Sequence, residues 1–208
     1  MRCGSCTDKW FLPPFRSSAE VFPLRASIAL RHYNPCVSRL RRIEDHDRIF
    51  FVTTNLAQRT PALSEMERVL VVKQLTRQKS TSTLSLFGYV VMPDHVHLLI
   101  TPPHHGLSAM MREFKARTGR QLRDHRGGSG AIWQQRYFDF VLRRVEDFWG
   151  KLEYIHRNPV EAGLTRRPEE WLWSSVAHYS GGSSLSPVDH IDLPPDRKAW
   201  LYPAPWRR

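Results

Sequence analysis

Cysteine is nearly absent from the chain. Of 208 residues only three are cysteines, and Cys3, Cys6 and Cys36 all lie within the first 36 positions. A disulfide framework is therefore not expected. The scarcity of cysteine instead predicts a reducing cytoplasmic compartment. With His32, the three cysteines offer four potential zinc ligands, but the gap between the two halves is longer than in a compact zinc finger. Incidental cysteines in a loosely ordered extension are the preferred interpretation.

Long apolar runs are lacking as well. No uninterrupted hydrophobic stretch approaches the length of about 20 residues that a membrane span needs, so a membrane protein is not expected. A continuous apolar signal core is also missing near the N-terminus, because Pro13, Pro14 and Arg16 interrupt it. Hydrophobic residues make up 41% of the chain and charged residues 25%, which is ordinary for a globular protein with one real core.

Acidic residues are few relative to basic ones. The chain has 20 Asp and Glu against 31 Lys and Arg, which gives a net charge of +11 and an isoelectric point near 10.1. A basic surplus of this size predicts a polyanionic partner. Nucleic acid is the first expectation, and an anionic membrane surface is the second.

Composition divides the chain into three parts. Residues 1–39 mix proline, serine, arginine and aromatics without a sustained period, which predicts a partly disordered extension. Residues 40–180 carry the periodic segments and are the predicted catalytic or binding domain. Residues 181–208 form a predicted proline-rich C-terminal tail.

Periodicity within the central part predicts strands that alternate with helices. The predicted strands cover residues 48–54, 84–92, 95–102 and 133–144. The predicted helices cover residues 61–77, 108–125 and 146–158. Pro61 is expected to open the first helix, which ends before the polar stretch that starts at Gln78, and Pro159 is expected to stop the last one. This order is typical of an α+β ferredoxin-like sandwich, in which helices pack on an antiparallel sheet.

Two histidines lie two residues apart on the third predicted strand. Side chains alternate along a strand, so His95 and His97 share one face, and Val96, Leu98 and Ile100 share the other, which is the predicted core face. Two imidazoles on a stiff strand offer convergent nitrogen lone pairs to a metal ion. Taken alone, the pair fits satisfied or half-exposed strand histidines better, because His-x-His is a common pattern.

The last predicted helix carries Tyr154 and Asn158. They are four residues apart and are therefore neighbours on one helical face. A tyrosine nucleophile with an amide oxygen one turn later can meet a metal ion and its substrate together. Taken alone, a helical tyrosine is more often a packing anchor.

The second predicted helix has an apolar side and a basic side. Its apolar side consists of Leu107, Met110, Met111, Phe114, Thr118 and Leu122. The basic side, on which no acidic partners are expected, and two arginines after the fourth strand give six candidate phosphate contacts: Arg112, Lys115, Arg120, Arg123, Arg143 and Arg144. A solvated surface is the alternative for each. Four aromatics are candidates for base stacking, although core packing is preferred for most of them: Trp133, Tyr137, Trp171 and Trp173.

Together these motifs resemble a known family. Residues 88–99, which include Met92-Pro93-Asp94-His95-Val96-His97, resemble the histidine-hydrophobe-histidine (HUH) signature of single-tyrosine transposases. Trp133-Gln134, Tyr137-Phe138-Asp139 and residues 154–164 resemble the branch called REP-associated tyrosine transposases, and Trp173-Ser174-Ser175 fits the segment that usually follows. The resemblance spans about residues 40–179 and leaves residues 1–37 outside.

The resemblance implies an enzyme that cuts and rejoins DNA with the help of a metal ion. His95 and His97 would bind one Mg²⁺ or Mn²⁺, with the side-chain oxygen of Asn158 as a third ligand where the wider group often has glutamine. Tyr154 would attack the scissile phosphate, which forms a 5′-phosphotyrosine and releases a 3′-hydroxyl. The implied substrate is single-stranded or hairpin DNA of the REP palindrome type, in a cytoplasmic, nucleoid-associated protein that is a monomer or a homodimer.

Two alternatives remain open from the sequence. A non-catalytic module of the same fold would bind hairpin DNA through the basic face and would need neither a metal ion nor Tyr154. A hydrolase would instead use the metal ion to activate water, and its product would not be linked to the protein.

Overall fold

A four-stranded antiparallel sheet organises the fold of residues 48–191, which the computed structural model describes. The strands are β1 (Phe50–Asn55), β2 (Ser85–Val91), β3 (His95–Thr101) and β4 (Phe138–Val141), in the order β2-β3-β1-β4. The helices are α1 (Glu65–Thr81), α2 (Leu107–Arg126), α3 (Val145–Glu161) and α4 (Val176–Tyr179), with a 3₁₀ turn at Pro168–Glu170. The predicted ferredoxin-like α+β sandwich is confirmed. The predicted extension over residues 1–39, including the three cysteines, and residues 192–208 of the predicted tail lie outside the described residues.

Both faces of the sheet are covered. The paired helices α1 and α2 cover the face of Val96, Leu98 and Ile100, which is the predicted core face. Helix α3 covers the other face, where Leu99 of β3 is fully buried too. Gly88 of β2 makes this close approach feasible, because a Cβ there would stand 2.7 Å from a methyl group of Leu152. The sequence predicted one core face, whereas the structure has two.

Helix α1 begins and ends later than predicted. Its N-cap is Ser64 and not Pro61: the Ser64 hydroxyl accepts a hydrogen bond from the Glu67 backbone N–H, and the Glu67 carboxylate accepts one from the Ser64 N–H at 2.8 Å. The helix continues through the polar stretch because Gln78 is buried and its amide donates to the Met110 carbonyl of α2 at 3.0 Å. Gln78 therefore joins α1 to α2, and residues 78–81 belong to the helix.

Strand β4 is shorter than predicted. It covers four residues, whereas residues 133–144 were expected to be a strand. Trp133 makes only an isolated bridge with Leu56, and its indole N–H donates to the Thr118 hydroxyl of α2 at 2.8 Å. The segment before β4 therefore packs on helix α2 and keeps only irregular contacts with the end of β1, such as the 2.9 Å hydrogen bond from the Gln134 N–H to the Asn55 carbonyl.

Helix α3 passes through Pro159, which was expected to stop it. A proline in the last turn removes only one backbone donor, and the Ala162 N–H still donates to the Asn158 carbonyl at 2.9 Å. The helix ends at Glu161, shortly before Gly163, which has a φ of 69°. This left-handed residue is the usual terminator of a helix, so Gly163 carries the stop signal.

Residues after α4 return to strand β2. The Asp189 carboxylate accepts from the Leu86 N–H at 2.7 Å and pairs with Lys79 at 2.8 Å. The Ser186 N–H donates to the Tyr89 hydroxyl at 2.9 Å.

Among residues 48–191, none of the helices combines the length and apolar character that crossing a bilayer requires.

A buried ion pair joins the start of α1 to the end of α2, and it gives a pH-dependent prediction. The Arg126 guanidinium donates to both carboxylate oxygens of Glu67 and holds the pKa of Glu67 down at about 2. A lowered folded-state pKa stabilises the fold above the unfolded pKa, and this stability is lost as the pH falls through the folded one. We expect Glu67→Gln to lower the free energy of unfolding by about 2 kcal/mol at pH 7.

The measurement is urea unfolding of both proteins between pH 7 and pH 2. The difference between them should shrink between about pH 4.5 and about pH 2, the unfolded and folded pKa values of Glu67. Glutamine can retain the capping box, so the loss reports the ion pair. Glu113→Gln removes the exposed partner of Arg117 and should change stability by less than about 0.5 kcal/mol. A difference that stays constant with pH would contradict the assignment.

Candidate active site

His95 and His97 of β3 direct ring nitrogens at one point. Their Nε2 atoms are 3.0 Å apart. On the far side of each ring, His95 Nδ1 lies 2.6 Å from the Asp94 carboxylate, and His97 Nδ1 lies 2.8 Å from the Thr53 hydroxyl of β1. Each Nδ1 atom is therefore engaged, and the two Nε2 atoms face the site.

The electrostatics favour metal-binding imidazoles. Burial lowers the pKa of His97 to about 3, and the nearby His95 and Lys151 act in the same direction, so His97 is neutral near pH 7. The hydrogen bond with His95 lowers the pKa of Asp94, which is therefore an ionised, acceptor-only partner. This carboxylate favours a proton on His95 Nδ1 and leaves the lone pair of Nε2 directed into the site, an arrangement found in many metal sites.

Helix α3 brings Asn158 and Tyr154 to the same point. Asn158 Nδ2 lies 3.4 Å from His97 Nε2, and rotation of the amide by 180° presents Oδ1 instead. The Tyr154 ring stands 5.3 Å from the His97 ring and 5.9 Å from the Phe51 ring, in edge contact with Phe51. Tyr154 is 41% exposed, which leaves it open to a substrate. Partial burial raises the pKa of Tyr154, and the hydrogen bond with Asn158 opposes this, so the hydroxyl is protonated near pH 7.

The spacing of these donors fits a six-coordinate divalent cation. Adjacent ligands of an octahedral ion with bonds of about 2.1 Å are about 3.0 Å apart, which matches the separation of the two Nε2 atoms. In the part of the chain that the structure describes, no group of three His, Cys, Asp or Glu side chains is placed to hold a metal ion. The Asn158 amide oxygen is therefore the best candidate for a third protein ligand.

The structure thus brings together all four residues that the sequence proposed for catalysis and metal binding: His95, His97, Tyr154 and Asn158. Sequence reasoning missed two supporting side chains. Asp94 stands directly before His95, which was a usable signal. Thr53 gave none, because it meets His97 only through the register of β1 on β3.

Buried hydrogen bonds hold the tyrosine helix on the sheet. His156 Nε2 lies 2.9 Å from the Ser175 hydroxyl, which accepts from the Tyr89 N–H of β2 at 3.0 Å. Burial lowers the pKa of His156 to about 3, so this ring is neutral. The ring faces Ser175 and not the two histidines, so it helps to position Tyr154 through the helix.

The six candidate phosphate contacts fall into separate groups. Arg112, Lys115 and Arg123 line a groove of about 490 Å³ between α2 and residues 131–137, to which Arg136 also belongs. Arg120 is exposed beyond this groove and faces Asp124 at 3.9 Å, so the expectation of a basic side without acidic partners is wrong at that position.

The remaining two arginines lie elsewhere. Arg143 and Arg144 follow the end of β4, and both are exposed. The carboxylate of Asp147 lies 3.5 Å from Arg144. The structure therefore does not bring these two arginines into the groove.

The aromatic side chains also divide. Trp133, Trp171 and Trp173 are buried, which confirms core packing for them. Phe138 and Phe140 of β4, which sequence reasoning did not select, have exposed rings, as does Tyr154.

The chain belongs to a transposase family: residues 50–158, more than half of it, match the family described as "Transposase IS200 like". It is 26% identical over 155 residues to the REP-associated tyrosine transposase of Escherichia coli (strain K12). This match covers 74% of this chain and 90% of that protein. A solved structure of a REP-associated tyrosine transposase bound to a REP hairpin shares the fold, with a TM-score of 0.58 and 24% identity over 75% of this chain and 94% of the other. The family resemblance read from the motifs is confirmed.

Proposed function

We propose that this transposase-family protein is a metal-dependent nuclease and strand transferase that acts through Tyr154 on hairpin-forming DNA. The convergence of the Tyr154 ring, the two histidine Nε2 atoms and the Asn158 amide carries the proposal. The solved relative is bound to a REP hairpin, which supports DNA of that class as the substrate. The basic surplus of the chain agrees with a nucleic-acid partner.

The chemistry follows from the residues present. A divalent cation held by His95, His97 and Asn158 would polarise the scissile phosphate and offset the charge that develops on it. The Tyr154 oxygen attacks phosphorus, a phosphotyrosine bond forms, and the bond from phosphorus to the 3′-oxygen breaks. The phenol loses one proton and the released 3′-oxygen gains one. A phosphodiester is retained throughout, so a 3′-hydroxyl can later attack the phosphotyrosine and reseal DNA without another energy source.

Supporting side chains hold this geometry in place. Asp94 orients His95 and Thr53 orients His97, each through the Nδ1 atom of the ring. The packing of Leu152 over Gly88 fixes the height of α3 above the sheet. A nucleophile and its metal ligands on two separate elements need such rigid support to keep a productive arrangement.

Incubation with a labelled hairpin oligonucleotide that carries a single-stranded flank, in the presence of Mn²⁺, tests the proposed function. A covalent protein–DNA adduct on a denaturing gel is the expected result. Tight binding without an adduct would support the non-catalytic hairpin-binding module instead. Cleavage whose products are all free of protein would support the hydrolase.

The groove residues give a prediction about salt. We expect Arg112→Gln with Lys115→Gln to weaken DNA binding and to reduce the slope of log affinity against log salt by about 1 to 2. The reason is that DNA binding by the variant makes fewer phosphate contacts and therefore releases fewer counterions from the DNA. The measurement is a titration of fluorescent hairpin DNA at several salt concentrations.

Lys73→Gln with Arg77→Gln is the matched control. It removes the same charge from exposed positions on α1, away from the groove. An equal change of slope in both double variants would mean that Arg112 and Lys115 make no specific phosphate contacts and are ordinary solvated surface residues.

A further inference from the structure

Strand β4 exposes two aromatic rings beside the candidate active site. Phe138 is 56% exposed and Phe140 is 41% exposed. Among residues 48–191, no strand pairs with the outer edge of β4, because β4 ends the order β2-β3-β1-β4. Two large apolar rings in solvent at an open edge are unfavourable for an isolated domain, which indicates a partner for this surface.

The register places both rings on the face of the catalytic residues. Phe138 pairs with Thr53, whose side chain contacts His97. Phe140 pairs with Phe51, which stacks on His97 with ring centroids 5.2 Å apart and also touches Tyr154. Cross-strand partners point to the same face of a sheet. Both rings therefore extend the surface formed by Phe51 and Thr53, here called the site floor, outward to the sheet edge.

Lys151 adds a positive charge above the site floor. Its ammonium group stands 4.8 Å from the Phe51 ring, 5.8 Å from the Phe140 ring and 5.6 Å from the Tyr154 ring. It lies one helical turn before Tyr154. A cation among exposed aromatic rings suits a ligand with both planar faces and negative charges, which describes single-stranded nucleic acid.

We infer that Phe138 and Phe140 form a stacking platform for bases of the single strand that enters the active site, and that Lys151 contacts a backbone phosphate of that strand. The inference deepens the proposed function and rests on it for the identity of the ligand. Continuity supports this occupant: Tyr137 lines the basic groove, and the next residue, Phe138, begins the platform. A strand that leaves a hairpin in the groove therefore reaches Tyr154 by crossing β4.

The test compares two hairpin oligonucleotides with equal flanks, one with normal bases and one with abasic flank sites. Phe138→Ala with Phe140→Ala is expected to weaken binding of the normal oligonucleotide about tenfold or more and that of the abasic one hardly at all. Lys151→Gln should weaken both equally, because the phosphates remain. Phe138→Trp with Phe140→Trp should restore the preference for normal bases.

Controls separate this surface from general effects. Leu172 and Leu185 are 66% and 52% exposed, and replacing both by alanine should leave the preference for normal bases unchanged. An equal loss for both oligonucleotides in the phenylalanine variant would overturn the stacking platform. So would a wild-type dimer in sedimentation that this variant dissociates, because the rings would then bind a second copy. The readout is binding, so it can succeed even if no covalent adduct forms and the nuclease proposal fails.

Discussion

Tyr154→Phe is expected to abolish the covalent protein–DNA adduct, with a loss of at least about 10⁴-fold in rate. The change removes only the attacking oxygen. The ring that contacts His97 and Phe51 remains, so the fold and hairpin binding should stay close to those of the wild type. The measurement uses oligonucleotides labelled at either end. A 5′-phosphotyrosine keeps the downstream segment on the protein, so a 3′-label should migrate with the protein and a 5′-label with the released fragment.

A second tyrosine provides the control for this experiment. The Tyr179 hydroxyl donates to the Phe87 carbonyl at 2.6 Å and lies in the partly buried region behind α3. Tyr179→Phe is expected to lower stability slightly and to retain the adduct. Cleavage that survives in Tyr154→Phe, with no label on the protein, would mean that water is the nucleophile.

Removal of a proposed metal ligand is expected to have the next largest effect. His95→Ala should reduce adduct formation by at least about 10³-fold, because the scissile phosphate would lose the cation that we propose polarises it. His95 is the better choice for the first experiment than His97, which is buried between Phe51 and Thr53 and whose loss would also disturb packing. Asn158→Ala should act in the same direction. The measurements are cleavage as a function of Mn²⁺ concentration and Mn²⁺ binding by calorimetry.

His105→Ala is the matched control, because that histidine is exposed in the loop before α2. It should leave Mn²⁺ binding and cleavage unchanged. Calorimetry separates metal binding from catalysis, because it measures Mn²⁺ binding even in an inactive protein. Undiminished wild-type cleavage in excess chelator would rule out the metal-dependent mechanism.

Local relations in the site were predictable from the sequence. His95 and His97 share a face because a strand has a period of two, and Tyr154 and Asn158 share a face because four residues make about one helical turn. The apolar side of α2 was predicted for the same reason, and all six of its residues are buried. The errors arose where a single residue was taken as a boundary, as with Pro159, whose place in the last turn made it tolerable.

Only the tertiary structure decided how distant segments meet. The contact of Thr53 with His97 and the side on which Phe138 lies depend on strand register, which no local period specifies. The second core face exists because α3 returns to the sheet over Gly88. Backbone geometry fixes neighbours within one element, whereas packing and pairing select neighbours between elements.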